Sequence, residues 1–245
     1  MASRDPKLSV VIPAYNEEKR IQTGLADVLA YLGKQGYGWE VVVVDDGSLD
    51  RTADLVEEAA KDHPGLRLVK LQRNQGKGAA VRAGMLASKG DVVVFSDADG
   101  STSLTEMERF WPLFGQGFDV IIGSRAVNRA LIKVRQPWYR ESMGKIFNVL
   151  VRSLGLSGFK DTQCGFKAFS RRAVEGIFPR MRVSRFGFDV EALVIARNLG
   201  YRVAELPVSW VNSPEAKVNP MTDAPRMFWD VLLIWYRDKM GYYKE

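Results

Sequence analysis

Five short runs of apolar, largely β-branched residues recur through the first half of the chain, with helix-like segments between them. The runs are LSVVI, EVVVV, LRLVKL, DVVVF and DVIIG. Most are apolar almost without interruption, which indicates strands that are buried on both faces. Strands that alternate with helices form crossover units with parallel strands. The sequence therefore predicts an α/β fold with a Rossmann-like, mostly parallel central sheet and flanking helices.

Each run is followed by polar and charged residues. These exits are PAYNEE, DDGSLD, QRNQGKG, SDADGS and SRAVNR. In open α/β sheets, ligands bind beyond the carboxyl ends of the strands. We therefore expect the functional site to be built from these five segments.

Composition narrows the chemistry of that site. A single cysteine, Cys164, excludes an internal disulfide and a cysteine-rich zinc site, and a single histidine, His63, removes most zinc and serine-histidine chemistry. No glycine-rich turn follows the first run, and GKG lacks the spacing of a P-loop, so the common dinucleotide and nucleotide fingerprints do not fit. The net charge of +6 favours anionic partners, but no nucleic-acid-binding motif accompanies it.

The chain shows no apolar run long enough to span a bilayer and no signal-peptide pattern in MASRDPKLSV. These features, together with the single cysteine, predict a cytoplasmic protein.

The segment GDVVVFSDADGST ends an apolar run on two aspartates, Asp97 and Asp99. In an extended strand, residues i and i+2 point the same way, so the two carboxylates are expected to converge. A hard cation such as Mg²⁺ or Mn²⁺ would relieve their repulsion and keep positions open for phosphate oxygens. The alternative is a solvated turn at Asp99 and Gly100 with no ligand.

Two other exits carry weaker signals. Asp45 and Asp46 can accept hydrogen bonds from a ribose or a base, or they can form a turn and a helix cap. Lys77 and the backbone N–H groups of NQGKG can cradle an anion, or the glycines can simply provide flexibility before a helix.

The second half begins with a cationic segment that is predicted to be a long surface loop. It supplies Arg125, Arg129, Lys133, Arg135 and Arg140, which can attract an anion or form a solvated surface. An amphipathic helix is predicted around residues 142–154, a helix in GFDVEALVIARNLG and a strand in YRVAELPVSW. The C-terminal RMFWDVLLIWYRDKMGYY is apolar over most of its circumference. The 142–154 helix and the aromatic C-terminus either lie at a membrane interface or pack in a core or a dimer.

In this order, VVIPAYNEE, VVVVDDGSLDRT, NQGKGAAVRAG and SDADGS resemble the nucleotide-binding half of family 2 glycosyltransferases of the GT-A fold. In the second half, IIGSR, KDTQCGFKAFSR and RFGFDVEALVIA are similar to the polyprenyl-phosphate branch, particularly dolichyl-phosphate β-glucosyltransferases. The resemblance implies one GT-A domain over residues 1–245. Residues 1–125 would form the nucleotide-sugar-binding half, and residues 126–245 the acceptor-binding half with a C-terminal amphipathic helical appendage.

The activity that this resemblance implies is a metal-dependent, inverting hexose transfer, with glucose from UDP-glucose favoured. The acceptor would be a polyprenyl monophosphate, dolichyl or undecaprenyl, and the enzyme would be peripheral at the cytosolic face of a membrane and possibly a homodimer. Three alternatives stay open: mannose transfer from GDP-mannose, transfer to a polysaccharide or soluble acceptor, and a silent nucleotide-sugar-binding module.

The resemblance also implies residue roles. Binding of the nucleotide sugar falls to Pro13, Ala14, Tyr15, Glu17, Asp45, Asp46, Lys77, Asp97, Gln163 and Glu191. Catalysis falls to Asp99, Asp161 and Arg125, and the Mg²⁺ or Mn²⁺ ligands are Asp97 and Asp99. The acceptor phosphate is assigned to Arg125, Lys133, Arg135 and Arg140. Ser101 stands where mannosyl-transferring relatives often carry glutamine, so a third protein ligand of the metal is not identified.

Overall fold

A single seven-stranded sheet forms the centre of the protein. The structure, a computed structural model, describes residues 6–127, 151–211 and 220–244, without the side chains of residues 153, 155 and 220–224. The strands are β1 (Leu8–Ala14), β2 (Trp39–Asp45), β3 (Leu66–Lys70), β4 (Val92–Ser96), β5 (Val120–Ser124), β6 (Phe166–Ser170) and β7 (Val203–Pro207). The helices are α1 (Ile21–Leu32), α2 (Thr52–Asp62), α3 (Lys77–Ala87), α4 (Met107–Gly115), α5 (Arg171–Ile177), α6 (Phe188–Asn198) and α7 (Pro220–Lys239). Short helical turns occupy Leu104–Glu106, Arg152–Leu156 and Phe178–Arg180.

The strand order is β3-β2-β1-β4-β6-β5-β7, and β6 alone runs antiparallel to its neighbours. The chain winds outward from β1 to β3 and then crosses to the other side of β1 to form β4. This reversal leaves a crevice at the carboxyl ends of β1 and β4, which is where such sheets bind ligands. The predicted α/β fold with a mostly parallel sheet is confirmed.

Side-chain alternation along the strands builds a core on each face of the sheet. On one face, Val11 and Phe95 pack with α3, α5, α6 and α7. On the other face, Val10 and Val94 pack with α1, α2 and α4. All seven residues of β1 are buried, as expected for a central strand covered on both sides.

The sequence analysis predicts five strands in the first half and one near residue 203, but it misses β6. The segment FKAFS is only five residues long and carries Lys167 at its second position, which conceals its apolar pattern. In the fold, β6 inserts between β4 and β5, so the two halves of the sequence share one sheet.

The three elements predicted after β6 are all present in the structure. The predicted helix in GFDVEALVIARNLG is α6, the predicted strand is β7, and the C-terminal segment forms the 20-residue helix α7. Of the predicted helix at residues 142–154, residues 142–150 lie outside the described residues. Among the residues that are described, no helix has the length and apolarity needed to cross a bilayer.

Candidate active site

The two aspartates of SDADGS lie directly after β4, on a turn. Strand β4 ends at Ser96, and the Gly100 N–H donates to the Asp97 carbonyl at 3.3 Å, with Gly100 at φ +66°. The Asp99 carboxylate accepts the Ser101 N–H at 3.0 Å, which tightens the same turn. The expectation that Asp97 and Asp99 lie on one extended strand is therefore wrong, because β4 ends before them and Asp99 belongs to a turn. Both side chains remain partly exposed.

Lys77 reaches this turn from the first residue of α3. Its Nζ lies 2.6 Å from Asp97 Oδ1, and it sits 5.8 Å from the centroid of the Phe95 ring. The QRNQGKG exit of β3 and the SDADGS exit of β4 thus meet, as expected for segments that leave the same edge of a parallel sheet. The ammonium group adds positive charge beside the acidic pair.

The donor set of this turn suits Mg²⁺ or Mn²⁺. Such ions commonly take one or two carboxylates from the protein and complete their coordination with water and substrate phosphates. Asp97 and Asp99 supply such a pair, and within the described part of the chain no group of three or more acidic, histidine or cysteine side chains is placed to hold a metal. A cavity of about 430 Å³, lined in part by Asp97, Gly100 and Thr102, lies against the turn. The lining of this cavity includes Asp97 but not Asp99, and both side chains are partly exposed at the turn.

The position of the Asp97 carboxylate depends on Gly165. The Asp97 N–H donates to the Gly165 carbonyl at 3.2 Å, and a Cβ at Gly165 would lie only 1.9 Å from Asp97 Oδ2. No side chain fits at this position unless the carboxylate moves.

We therefore expect Gly165→Ala to weaken Mn²⁺ binding about 10- to 100-fold, the range found when groups that orient a metal ligand are removed. Mn²⁺ titration followed by electron paramagnetic resonance measures the affinity. Gly158→Ala is the matched control, because a Cβ there meets nothing within 4 Å. Equal Mn²⁺ affinities for Gly165→Ala and the wild type would show that this packing does not set the carboxylate.

The two aspartates at the end of β2 are both occupied by backbone donors. Asp46 is buried and accepts the N–H groups of Gln75 and Gly76 at 2.7 and 2.8 Å, one on each carboxylate oxygen. Burial raises the pKa of Asp46, and these two N–H groups act in the opposite direction. Asp45 is also buried and accepts the Ser48 N–H at 3.3 Å. In this structure Asp46 holds the loop that presents Lys77, and its contact with the nucleotide stays a prediction.

The exit of β1 is joined to the exit of β2. Pro13 and Ala14 end β1, and the Ala14 carbonyl accepts the Asp46 N–H at 2.8 Å. Tyr15 is half-buried. The Glu17 N–H donates to the Thr52 hydroxyl, and the Glu17 carboxylate pairs with Arg20 at 2.6 Å.

Asn16, between Tyr15 and Glu17, has φ +52° and links to Ser48 and Leu49 through its N–H and its side chain. The PAYNE and DDGSLD segments therefore form one surface beside the Asp97 turn.

Arg125 lies after β5 and is held by Asp161. Its Nε and Nη2 donate to the Asp161 carboxylate at 2.7 and 2.8 Å, and its backbone N–H donates to the same group at 3.0 Å. Burial opposes ionisation of Asp161, but the guanidinium outweighs it and lowers the pKa of that carboxyl to about 2. Trp210 lies 5.6 Å from the guanidinium. Asp161 therefore orients the Arg125 guanidinium and does not use the other three N–H donors of that group.

Gln163 is part of the same segment, because its N–H donates to Asp161 at 3.2 Å. Next to it, Cys164 is fully buried, and burial raises the pKa of its thiol to about 12. The thiol therefore stays protonated at neutral pH, which agrees with a packing role.

A buried ion pair lies behind the turn, and the sequence analysis does not identify it. Lys167 Nζ is 2.5 Å from Asp189 Oδ1 and 2.5 Å from the Cys164 carbonyl, and both charged side chains are buried. Lys167 Nζ also lies 5.3 Å from the centroid of the Phe95 ring, and Lys77 approaches the same ring. Burial raises the pKa of Asp189, while the positive charges of Lys167 and Lys77 act in the opposite direction. The sequence signal for this pair is a lysine inside the short run FKAFS and two acidic residues, Asp189 and Glu191, inside the largely apolar run FGFDVEALVIA.

Glu191 does not contribute an exposed group to the site. Its side chain is fully buried and accepts the N–H groups of Arg182 and Val183 and the Tyr243 hydroxyl at 2.7–2.9 Å. This carboxylate joins α6 to the C-terminal segment, and its role in binding the nucleotide sugar stays a prediction. Of the cations predicted for the acceptor phosphate, Arg125 is placed at the sheet edge. The other three, Lys133, Arg135 and Arg140, lie outside the described residues, as does Arg129 of the same cationic segment.

Residues 9–178 match the model of the family described as Glycosyl transferase family 2. The chain is 40% identical over 218 residues to a dolichyl-phosphate beta-glucosyltransferase of Trichomonas vaginalis, a match that covers 85% of this chain and 65% of the relative. It is 35% identical over 250 residues to the dolichyl-phosphate beta-glucosyltransferase of Dictyostelium discoideum, with 97% of this chain and 76% of the relative covered. The chain thus spans just under two thirds of the length of the first relative and about three quarters of the length of the second.

Among solved structures, the fold is similar to that of glucosyl-3-phosphoglycerate synthase from Mycobacterium tuberculosis in complex with Mn²⁺, UDP and glucosyl-3-phosphoglycerate. The TM-score is 0.68 at 21% identity, covering 95% of this chain and 80% of that one. At this identity, the likeness establishes the shared fold alone.

Proposed function

The chain belongs to glycosyl transferase family 2, and we propose that it transfers glucose from UDP-glucose to the phosphate of a polyprenyl phosphate such as dolichyl phosphate. The observation that carries this proposal is the identity of 35% along 97% of the chain to a dolichyl-phosphate beta-glucosyltransferase. The geometry supports it, because an acidic pair, a lysine and an arginine lie at the ligand-binding edge of the sheet.

In this proposal the leaving diphosphate lies at the β4 exit. Mg²⁺ or Mn²⁺ held by Asp97 and Asp99 would supply charge neutralisation of the diphosphate. Lys77 adds a second positive charge beside it, and Asp46 holds the loop that positions Lys77. Since the charge of the leaving group is neutralised in this way, no carboxylic acid is required to protonate it.

The acceptor phosphate lies at Arg125, whose guanidinium is oriented by Asp161 and packed near Trp210. A phosphate oxygen attacks the anomeric carbon of glucose and forms the new C–O bond. The bond between that carbon and the diphosphate oxygen breaks, and UDP leaves with the electron pair. The configuration at the carbon is inverted.

No general base is required for this step. The second pKa of a phosphate monoester is about 6, so much of the acceptor is already a dianion at neutral pH. The chain's single histidine, His63, lies between α2 and β3 and precedes that strand. The absence of a histidine base at the carboxyl ends of the strands therefore does not weaken the assignment. Because the acceptor is a lipid, the enzyme would act at a membrane surface. We infer the cytosolic face, where the single, buried Cys164 would stay reduced.

Donor competition tests the proposal. We expect label from UDP-glucose to enter the organic phase when the purified protein is incubated with Mg²⁺ or Mn²⁺ and polyprenyl phosphate. Excess unlabelled GDP-mannose is expected to leave that transfer nearly unchanged. Preferred transfer of mannose would assign a different donor, and faster transfer to sugar acceptors would assign a different acceptor. Tight UDP binding without turnover for any pair of substrates would indicate a silent binding module.

A further inference from the structure

The outer side of α7 and the turn after it form an exposed aromatic surface. The described residues include twelve exposed large hydrophobic side chains, and eight of them fall between residues 228 and 242. We call these eight the α7 aromatic face; they are Phe228, Trp229, Leu232, Leu233, Trp235, Tyr236, Met240 and Tyr242. Their exposure ranges from 37% to 69%. Such clustering marks an interaction surface, because isolated exposed apolar residues are scattered on most proteins.

This face is outward in the folded protein, and the opposite side of the helix is already packed. Val231 and Ile234 are buried in the core beside α6. Asp238 pairs with Arg197 at 2.7 Å and accepts from Asn198 at 2.6 Å. These contacts fix the rotation of α7, so its aromatic face cannot turn inward without breaking them.

On this segment the acidic side chains face the protein and the exposed charged side chains are cations. Both acidic residues between positions 225 and 244 face the protein, since Asp230 accepts the Gly187 N–H and Asp238 binds α6. The exposed charged residues of the same stretch are all cations, namely Arg226, Lys239 and Lys244. Over the described residues 225–244, the outward surface therefore combines tryptophan, tyrosine and leucine with positive charge and shows no acidic group.

We propose that the α7 aromatic face is a docking surface for a lipid bilayer that contains anionic phospholipids. Tryptophan and tyrosine are enriched at the boundary between headgroups and acyl chains, and a helix with one apolar face lies in that plane. Lysine and arginine at the edges of such a helix attract anionic headgroups. The choice of a lipid partner rests on the proposed function, whose acceptor is a lipid, and on the charge sorting described above.

The inner side of α7 connects this face to the site. A Cβ at Gly187 would lie 2.5 Å from the Asp230 Cβ, so the backbone at the start of α6 is in close contact with α7. Asp189, two residues further along α6, pairs with Lys167 behind the Asp97 turn. The bilayer would therefore contact α7, which packs directly on α6, and α6 supports the site through Asp189.

Vesicle binding by the full chain tests the proposal. We expect the protein to co-sediment with vesicles of phosphatidylcholine and phosphatidylglycerol, and less with phosphatidylcholine alone. The variant Trp229→Glu/Trp235→Glu should reduce the partition coefficient at least about tenfold, because charge replaces the inserted rings. Leu86→Glu, at an exposed leucine of α3, is the matched control and should bind as the wild type. Circular dichroism verifies that each variant is folded.

The outcomes separate this proposal from the proposed function. Absence of vesicle binding, or equal binding by Trp229→Glu/Trp235→Glu and the wild type, would overturn the docking surface. If the double substitution instead converts a dimer to a monomer in light scattering without affecting vesicle binding, the face is an interface between copies. Vesicle binding that depends on these tryptophans, in a protein that transfers no sugar, would overturn the proposed function and leave the docking surface supported. With a short, water-soluble prenyl phosphate as acceptor, the double variant should keep the wild-type rate.

Discussion

Asp99→Asn is expected to reduce the rate of sugar transfer roughly a thousandfold. A metal that neutralises a leaving diphosphate contributes several kcal/mol, and about 1.4 kcal/mol corresponds to a factor of ten in rate. Asparagine keeps the size of the side chain and its acceptor for the Ser101 N–H, so the turn should persist. Asp97→Asn is expected to have an effect of similar size, and it also removes the partner of Lys77.

Two measurements check this prediction. The first is the transfer rate at saturating donor and Mn²⁺, with Asp62→Asn at an exposed position as the control that should retain full activity. The second is the rise in melting temperature that Mn²⁺ and UDP produce together, which should be lost in both site variants. If Asp97→Asn and Asp99→Asn transferred sugar as fast as the wild type, the acidic pair would not hold the metal.

Asp189→Leu is expected to lower the free energy of unfolding by about 3–5 kcal/mol, the usual cost of removing one partner from a buried ion pair. The substitution leaves the Lys167 ammonium buried beside two uncharged groups, the Cys164 carbonyl and the Phe95 ring. The double variant Lys167→Met/Asp189→Leu should recover most of this loss, since a well-packed apolar pair of similar volume replaces both charges.

Urea denaturation of the two single variants and the double variant measures these differences and isolates the coupling between the side chains. Glu57→Gln is the matched control. Lys70 and Glu57 form an ion pair at 2.7 Å with both side chains about half exposed, so its loss should cost at most about 1 kcal/mol. Similar unfolding midpoints for Asp189→Leu and the wild type would show that Lys167 finds other compensation.

Local patterns in the chain are sufficient to predict the parallel sheet and the edge at which the site lies. An apolar run flanked by helix-like segments specifies a buried strand because burial and backbone geometry act within a few residues. The exits of β1, β2, β3 and β4 are predicted together for the same reason, since parallel strands end at one edge. Asp97, Lys77 and Arg125 are placed at that edge as expected.

Other features depend on residues that are distant in the sequence, and no local pattern specifies them. The backbone contacts of Asp46 are one example, because its partners, Gln75 and Gly76, are about 30 residues away. Lys167 conceals β6 because its countercharge lies on α6, 22 positions further along. The Gly165 contact with Asp97 is of the same kind, because it exists only once β6 has inserted beside β4.

The helix α7 shows both contributions in one element. Its composition predicts an aromatic helix, but it leaves open whether those rings lie in a core, in a dimer or on a surface. Only the packing of Val231 and Ile234, together with the ion pair of Asp238, determines which side faces out. Burial and pairing are decided by the whole fold, because each buried charge and each apolar face is stable only beside a partner that the chain brings from elsewhere.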